Sequence, residues 1–131
     1  MSYVGVVLLS HSRELVIGLK DLLQQIEPDV PLAIAGGLES GEIGTDVLKI
    51  KEAIESVYSE KGVIIFFDLG SAFMNAEMAL EMLNYSDNIK VADAPLVEGA
   101  YVAIIESGCG GTLEDVVVTA EKSKNFSKIP K

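Results

Sequence analysis

The sequence predicts an α/β domain whose parallel sheet is covered by helices on both faces. Three observations lead there. Short runs rich in valine, leucine and isoleucine alternate with longer stretches whose apolar residues recur at helical spacing. The short runs are apolar throughout, as in strands buried on both faces. The chain has 131 residues, 49% of them hydrophobic, enough for one domain with a core that needs neither disulfides nor metals.

The elements follow in order. Tyr3 to Ser10 reads as a first buried strand. Leu15, Leu19, Leu22, Leu23 and Ile26 mark a helix that stops before Pro28. Pro31 to Ala35 is a second strand, and Gly36 to Asp46 a polar, flexible loop with four glycines. Thr45 or Asp46 caps a second helix carrying Val47, Leu48, Ala53, Ile54 and Val57. Gly62 to Leu69 is the strongest strand signal. Ser71 opens a third helix through Met74, Met78, Met82 and Leu83, with the methionines read as core. Ile89 to Ala92 is a fourth strand, and Pro95 starts a fourth helix. Its apolar stripe (Leu96, Val97, Ala100, Tyr101, Ile104, Ile105) is wide enough to leave a share for a homodimer contact. Glycines 108, 110 and 111 end it, and Thr112 with Asp115 forms a capping box for a last helix. Strand–helix alternation of this kind implies right-handed crossovers and a doubly wound parallel sheet. The domain spans residues 1–131, with a basic end (Lys122, Lys124, Lys128, Lys131) read as solvated.

Composition narrows the function. A net charge of −10 argues against nucleic acid and anionic membranes as partners. No apolar run is long enough to span a bilayer, and Met1 to Ser10 lacks the basic flank and cleavage site of a signal peptide. The single cysteine, Cys109, cannot close an internal disulfide, which fits a reducing, cytoplasmic setting. One histidine and one cysteine cannot make a standard zinc site. Glu42 follows Gly41 where a phosphate-binding Walker loop needs lysine, and neither a dinucleotide fingerprint nor a Gly-x-Ser-x-Gly elbow is present.

In doubly wound sheets, ligands bind at the carboxyl ends of the strands. Three segments fall there: Ser10-His11-Ser12, Gly36 to Asp46, and Asp68 to Ala72. His11, the only histidine, directly follows the first strand. A neutral imidazole is a good nucleophile toward phosphorus when its other nitrogen is protonated and held. Asp68, at the end of the third strand, is the candidate orienter; bonding through Nδ1 would leave Nε2 to react. Backbone N–H groups of Gly70, Ser71 and Ala72, facing out at a helix start, suit a phosphoryl group. Ser12 and the glycine loop, Gly37 and Thr45 included, would wall the site. The competing reading of His11 alone is a surface histidine satisfied by Ser12.

At this point the chain resembles a known family. Val7-Leu8-Leu9-Ser10-His11-Ser12, Gly36-Gly37 through Ile43-Gly44-Thr45-Asp46, Asp68-Leu69-Gly70-Ser71-Ala72 with Asn75, and Ala94-Pro95-Leu96-Val97-Glu98-Gly99-Ala100 run in the order found in the DhaM phosphotransferase subunits of bacterial dihydroxyacetone kinases. That family belongs with the mannose-type enzyme IIA domains of the sugar phosphotransferase system (PTS). The resemblance implies a four-stranded sheet of order 2-1-3-4, usually in a homodimer. It implies a relay in which the phosphocarrier HPr phosphorylates His11, oriented by Asp68. Phospho-His11 then phosphorylates ADP on the partner subunit DhaL. No cofactor is expected on this chain, since ADP and Mg²⁺ would sit on that partner. Larger DhaM proteins append carrier domains; a single-domain form relies on separate carriers. Alternatives are an enzyme IIA handing phosphate to a sugar-transporter IIB domain, a regulatory or scaffold domain without chemistry, and a small-molecule binding domain using the glycine loop. The Gly70-Ser71-Ala72 run speaks against the first.

Overall fold

The computed structural model describes residues 2–84 and 86–130. Met1, at the head of the first apolar run, and Lys131, in the basic end, lie outside them. The chain runs β1 (Gly5–Ser10), α1 (Arg13–Ile26), β2 (Leu32–Gly36), α2 (Val47–Val57), β3 (Val63–Phe67), α3 (Ala72–Met82), β4 (Ile89–Val91), α4 (Leu96–Gly108) and α5 (Leu113–Lys122). Single 3₁₀ turns sit at Ser86–Asn88 and Ser123–Asn125. The four strands form one sheet in the order β2-β1-β3-β4, with every pair parallel.

The apolar strands make this sheet possible because successive side chains alternate between its faces. Val6, Leu8, Ile64 and Phe66 point to one side, where they pack with α1, α4 and α5. Val7, Leu9, Val63 and Ile65 point to the other, against α2 and α3. All six residues of β1 are buried, Ser10 included. The helix starts are capped as the residue types require: Ser12 accepts from the Leu15 N–H at 3.3 Å, Asp46 from the Leu48 N–H at 2.9 Å, and Thr112 with Asp115 closes both halves of a capping box. Asp46 holds the cap of α2; the neighbouring Thr45 is bonded elsewhere.

Strand ends agree with the sequence reading to within two residues. Gly62 has φ +99°, so the chain is still turning there, and β3 begins at Val63. It ends at Phe67; beyond it Asp68 keeps a single ladder bond, from its N–H to the Leu9 carbonyl, and Leu69 is released.

The methionines of α3 correct the expectation that they are core. Met74, Met78 and Met82 are 71%, 52% and 50% exposed, while Ala72, Ala76 and Ala79 face the sheet. Two apolar stripes share this helix, and the small one is buried because alanines let the helix seat closely on the sheet. Leu48 of α2 and Leu15 and Leu22 of α1 are likewise exposed. The basic end is tied to the surface by ion pairs, Lys124 to Asp93 at 3.1 Å and Lys128 to Glu98 at 2.6 Å. Among the described residues no helix is long and apolar enough to cross a membrane.

Gly99 shows how tightly α4 seats. A β-carbon there would lie 2.9 Å from both the Phe66 ring and Ala94 Cβ. Gly99→Ala gains about 1 kcal/mol of helix propensity, but overpacking of about 1–3 kcal/mol opposes it. The variant should unfold at lower urea with an unchanged m-value. An unchanged or raised midpoint would show that the Phe66 ring yields freely.

Candidate functional site

The sheet order brings the three sequence segments to one edge. Leu9 pairs with Phe67 and Ser10 with Gly36, so the residues that follow β1, β2 and β3 emerge side by side. The Asp68 N–H continues the ladder to the Leu9 carbonyl at 3.2 Å. This holds Asp68 beside the turn that carries His11.

The Asp68 carboxylate then organises that turn. Its Oδ2 accepts from the Ser10 hydroxyl at 2.8 Å and from the His11 N–H at 3.0 Å. Its Oδ1 accepts from the Leu69 N–H at 2.7 Å and lies 3.0 Å from His11 Nδ1. Ser10 Oγ in turn accepts from the Ser12 N–H at 2.9 Å. Backbone and ring of His11 are thus both fixed to one side chain. Burial raises the Asp68 carboxyl pKa, but hydrogen bonds from the His11 backbone, the His11 ring, Ser10 and Leu69 outweigh it, and the group ends below its ordinary value. It is therefore ionised at neutral pH and can only accept. In the neutral imidazole, Nδ1 then carries the proton and Nε2 the lone pair.

Nε2 lies 2.9 Å from the Ser71 hydroxyl, which donates to it. Ser71 therefore neither caps α3 nor offers only its backbone: its side chain makes no capping bond. The N–H groups of Gly70 and Ser71 make no hydrogen bond among the described residues. Ala72 corrects the expected trio. It is fully buried, and its N–H closes a tight turn to the Leu69 carbonyl at 2.9 Å. The outward donors at this helix start are therefore Gly70, Ser71 and the Ser71 hydroxyl. The His11 side chain keeps about a fifth of its surface open.

The glycine loop is pinned rather than free. The Gly37 N–H reaches the Ser10 carbonyl at 3.3 Å, and the Gly44 N–H the His11 carbonyl at 2.9 Å. Gly37 has φ +71° and sits against the first turn of α1, where a larger residue would be strained. Thr45 Oγ1 accepts from Asn75 of α3 at 2.6 Å, closing the loop onto the third helix. Ser12 serves as the cap of α1 and lines an open cleft of about 410 Å³ with Arg13, Glu14, Gly41, Glu42 and Ile43.

A family model described as "PTS system fructose IIA component", the mannose-type enzyme IIA family, matches residues 5–117. The chain belongs to the mannose-type enzyme IIA family. Within this enzyme IIA family its relatives include phosphotransferase subunits. It is 39% identical over 122 residues to the "PTS-dependent dihydroxyacetone kinase, phosphotransferase subunit DhaM" of Lactococcus lactis, covering 93% of this chain and 96% of that protein. It is 45% identical over 97 residues to a Listeria innocua "phosphoryl donor subunit DhaM", covering 74% of this chain and 76% of that one. A crystal structure of a protein of unknown function superposes with a TM-score of 0.83 at 31% identity, covering 93% of this chain and 95% of that one.

At this sheet edge, two roles escaped the sequence reading. Ser10 links Asp68 to the Ser12 backbone from a fully buried position. The signal was there: a hydroxyl closing an otherwise apolar strand must find a buried partner. Gly44 latches the loop to His11, and nothing in the sequence marked it over its neighbours.

Because the folded Asp68 pKa is depressed, its contribution to stability is complete above the ordinary carboxylate value, about pH 4, and is lost as pH falls through the lower folded value. The stability gap between the wild type and Asp68→Asn should therefore be widest near neutral pH and shrink on acidification below about pH 4. Urea midpoints measured across that range check this. A gap that stays constant would show that the charge on Asp68 contributes nothing.

Proposed function

We propose that this protein is the phosphoryl donor subunit of a dihydroxyacetone kinase that draws on the phosphotransferase system, working through phosphohistidine at His11. The observation that carries the reading is the opposed bonding of the His11 ring, with carboxylate at Nδ1 and a displaceable hydroxyl at Nε2. The names borne by its relatives supply the system.

In this reading, HPr brings its own phosphohistidine to the sheet edge. The Nε2 lone pair of His11 attacks phosphorus as the donor's N–P bond breaks, and the donor imidazole leaves with the electron pair. The ring, already protonated at Nδ1, gains positive charge, which the adjacent Asp68 carboxylate offsets. The Ser71 hydroxyl swings from Nε2 to a phosphoryl oxygen, joined there by the Gly70 and Ser71 N–H groups. In the second transfer, the terminal phosphate oxygen of ADP on DhaL attacks, and neutral His11 leaves. ADP and its Mg²⁺ come with that subunit, so this chain carries no cofactor of its own. The setting is cytoplasmic, and the active form is a homodimer that uses apolar surface of α4, where Val97 and Tyr101 are exposed.

Intact mass after incubation with enzyme I, HPr and phosphoenolpyruvate tests the first transfer. The wild type should gain one phosphoryl group and lose it on addition of DhaL and ADP; His11→Ala should fold normally and gain none. Phosphate that DhaL and ADP cannot discharge would point to a sugar transporter as acceptor, and no gain at all would refute the relay.

Asp68→Asn keeps a partner at Nδ1 but loses the countercharge. Loss of a charge-assisted hydrogen bond of about 1.5–3 kcal/mol should slow single-turnover transfer about 10- to 100-fold. An unchanged rate would remove Asp68 from the mechanism.

A further inference from the structure

The outward face of α3 carries a stripe that the fold does not use. Leu69, Met74, Met78 and Met82 are between 50% and 71% exposed. The last three stand one helical turn apart, opposite the buried alanines. Scattered apolar residues on a surface are ordinary, but a continuous row along one helix is not.

Two features say what covers it. The first is position. The helix begins beside Ser71, whose hydroxyl lies on His11 Nε2. Any protein that brings phosphorus in line with Nε2 must lie over Leu69 and the first turn of α3. A contact of about 800 Å² per partner is wide enough to follow the helix along its roughly 17 Å.

The second feature is charge. Between Lys61 and Lys90 there is no basic residue. Glu77 and Glu81 are exposed beside the methionines and make no ion pair among the described residues. The stripe is thus apolar, and the only charged residues on α3 itself are acidic. It fits a face with an apolar centre and a rim of lysine and arginine, and it repels another acidic surface.

We infer that the α3 stripe is the docking surface for the protein that phosphorylates His11, and that this donor presents an apolar patch ringed by basic side chains. The inference rests on the relay proposed above. Methionine suits such a surface because its unbranched, polarizable side chain adapts to the partner's shape. Glu77 and Glu81 act chiefly on the rate of encounter, and the methionines on the lifetime of the complex.

The test uses the full chain and three proteins: wild type, Met74→Glu with Met78→Glu, and Glu77→Lys with Glu81→Lys. All four positions are exposed, so the fold should hold. Rapid-quench transfer from the phosphorylated donor protein should lose about tenfold or more in kcat/KM for the methionine variant. Its rate at saturating donor should stay close to wild type. The glutamate variant should be slower at low salt and lose most of the salt dependence of the wild type. Phosphorylation of His11 by the small donor phosphoramidate should be equal in all three.

Equal transfer from the protein donor in all three proteins would overturn the docking surface while leaving the relay intact. So would conversion of a wild-type dimer to a monomer by the methionine substitutions, seen by light scattering, since the stripe would then belong to a second copy. A wild type that reacts with phosphoramidate but never with the protein donor would overturn the relay and this inference together.

Discussion

One carboxylate holds the functional edge together. Asp68 accepts hydrogen bonds from the Ser10 hydroxyl, the His11 backbone, the Leu69 backbone and, at Nδ1, the His11 ring. Three of these come from another strand's end, 57 or 58 residues away in sequence, and they exist only because β1 and β3 are neighbours in register. The same atoms therefore link sheet topology to imidazole orientation. A carboxylate with that many donors stays ionised, which fixes the tautomer of the ring it touches. A surface histidine bonded only to its own helix cap would have none of these constraints.

The fold was legible because its signal is coarse. Buried strands and amphipathic helices alternate, and alternation with short connections leaves few topologies. The helix caps at Asp46, one of two candidates with Thr45, and at Thr112 were legible too, because each depends on a side chain reaching two or three residues along its own backbone. Strand ends were not. Gly62 and Leu69 look like parts of a single apolar run, yet one adopts a left-handed turn and the other belongs to the site. The methionines of α3 failed for a different reason. Hydrophobicity ranks Met above Ala, but packing against a sheet rewards close approach, and Ala72, Ala76 and Ala79 supply it.

The candidate site divides along the same line. His11 and Asp68 could be paired from sequence because both follow strands that the fold class makes adjacent. Ser71 could be placed near them, but its bond to Nε2 depends on a turn geometry that composition does not encode. That turn also uses the Ala72 N–H internally, so one of three expected donors is absent from the edge. The loop from Gly36 to Asp46 looked free because glycine and polar residues dominate it. Its restraints are long-range, to the Ser10 and His11 carbonyls and to Asn75 on another helix. Local sequence carries no trace of bonds of that kind.

The distribution of charge around His11 bears on what a carrier must do. On the Nε2 side the bonded donor is the neutral Ser71 hydroxyl, with the Gly70 and Ser71 N–H groups beside it, and among the described residues the formal charge bonded to the ring is the Asp68 carboxylate behind Nδ1. A guanidinium or ammonium clamp on the phosphoryl oxygens would bind them strongly and raise the barrier to the next transfer. Neutral donors steady the group with bonds that a partner can replace one for one. In the proposed relay the carboxylate would act on the ring instead, favouring the charge that forms when phosphorus arrives and disappears when it departs. The phosphoryl group of that relay would be held by its covalent bond and these exchangeable hydrogen bonds, and direction would be left to whichever protein covers the edge.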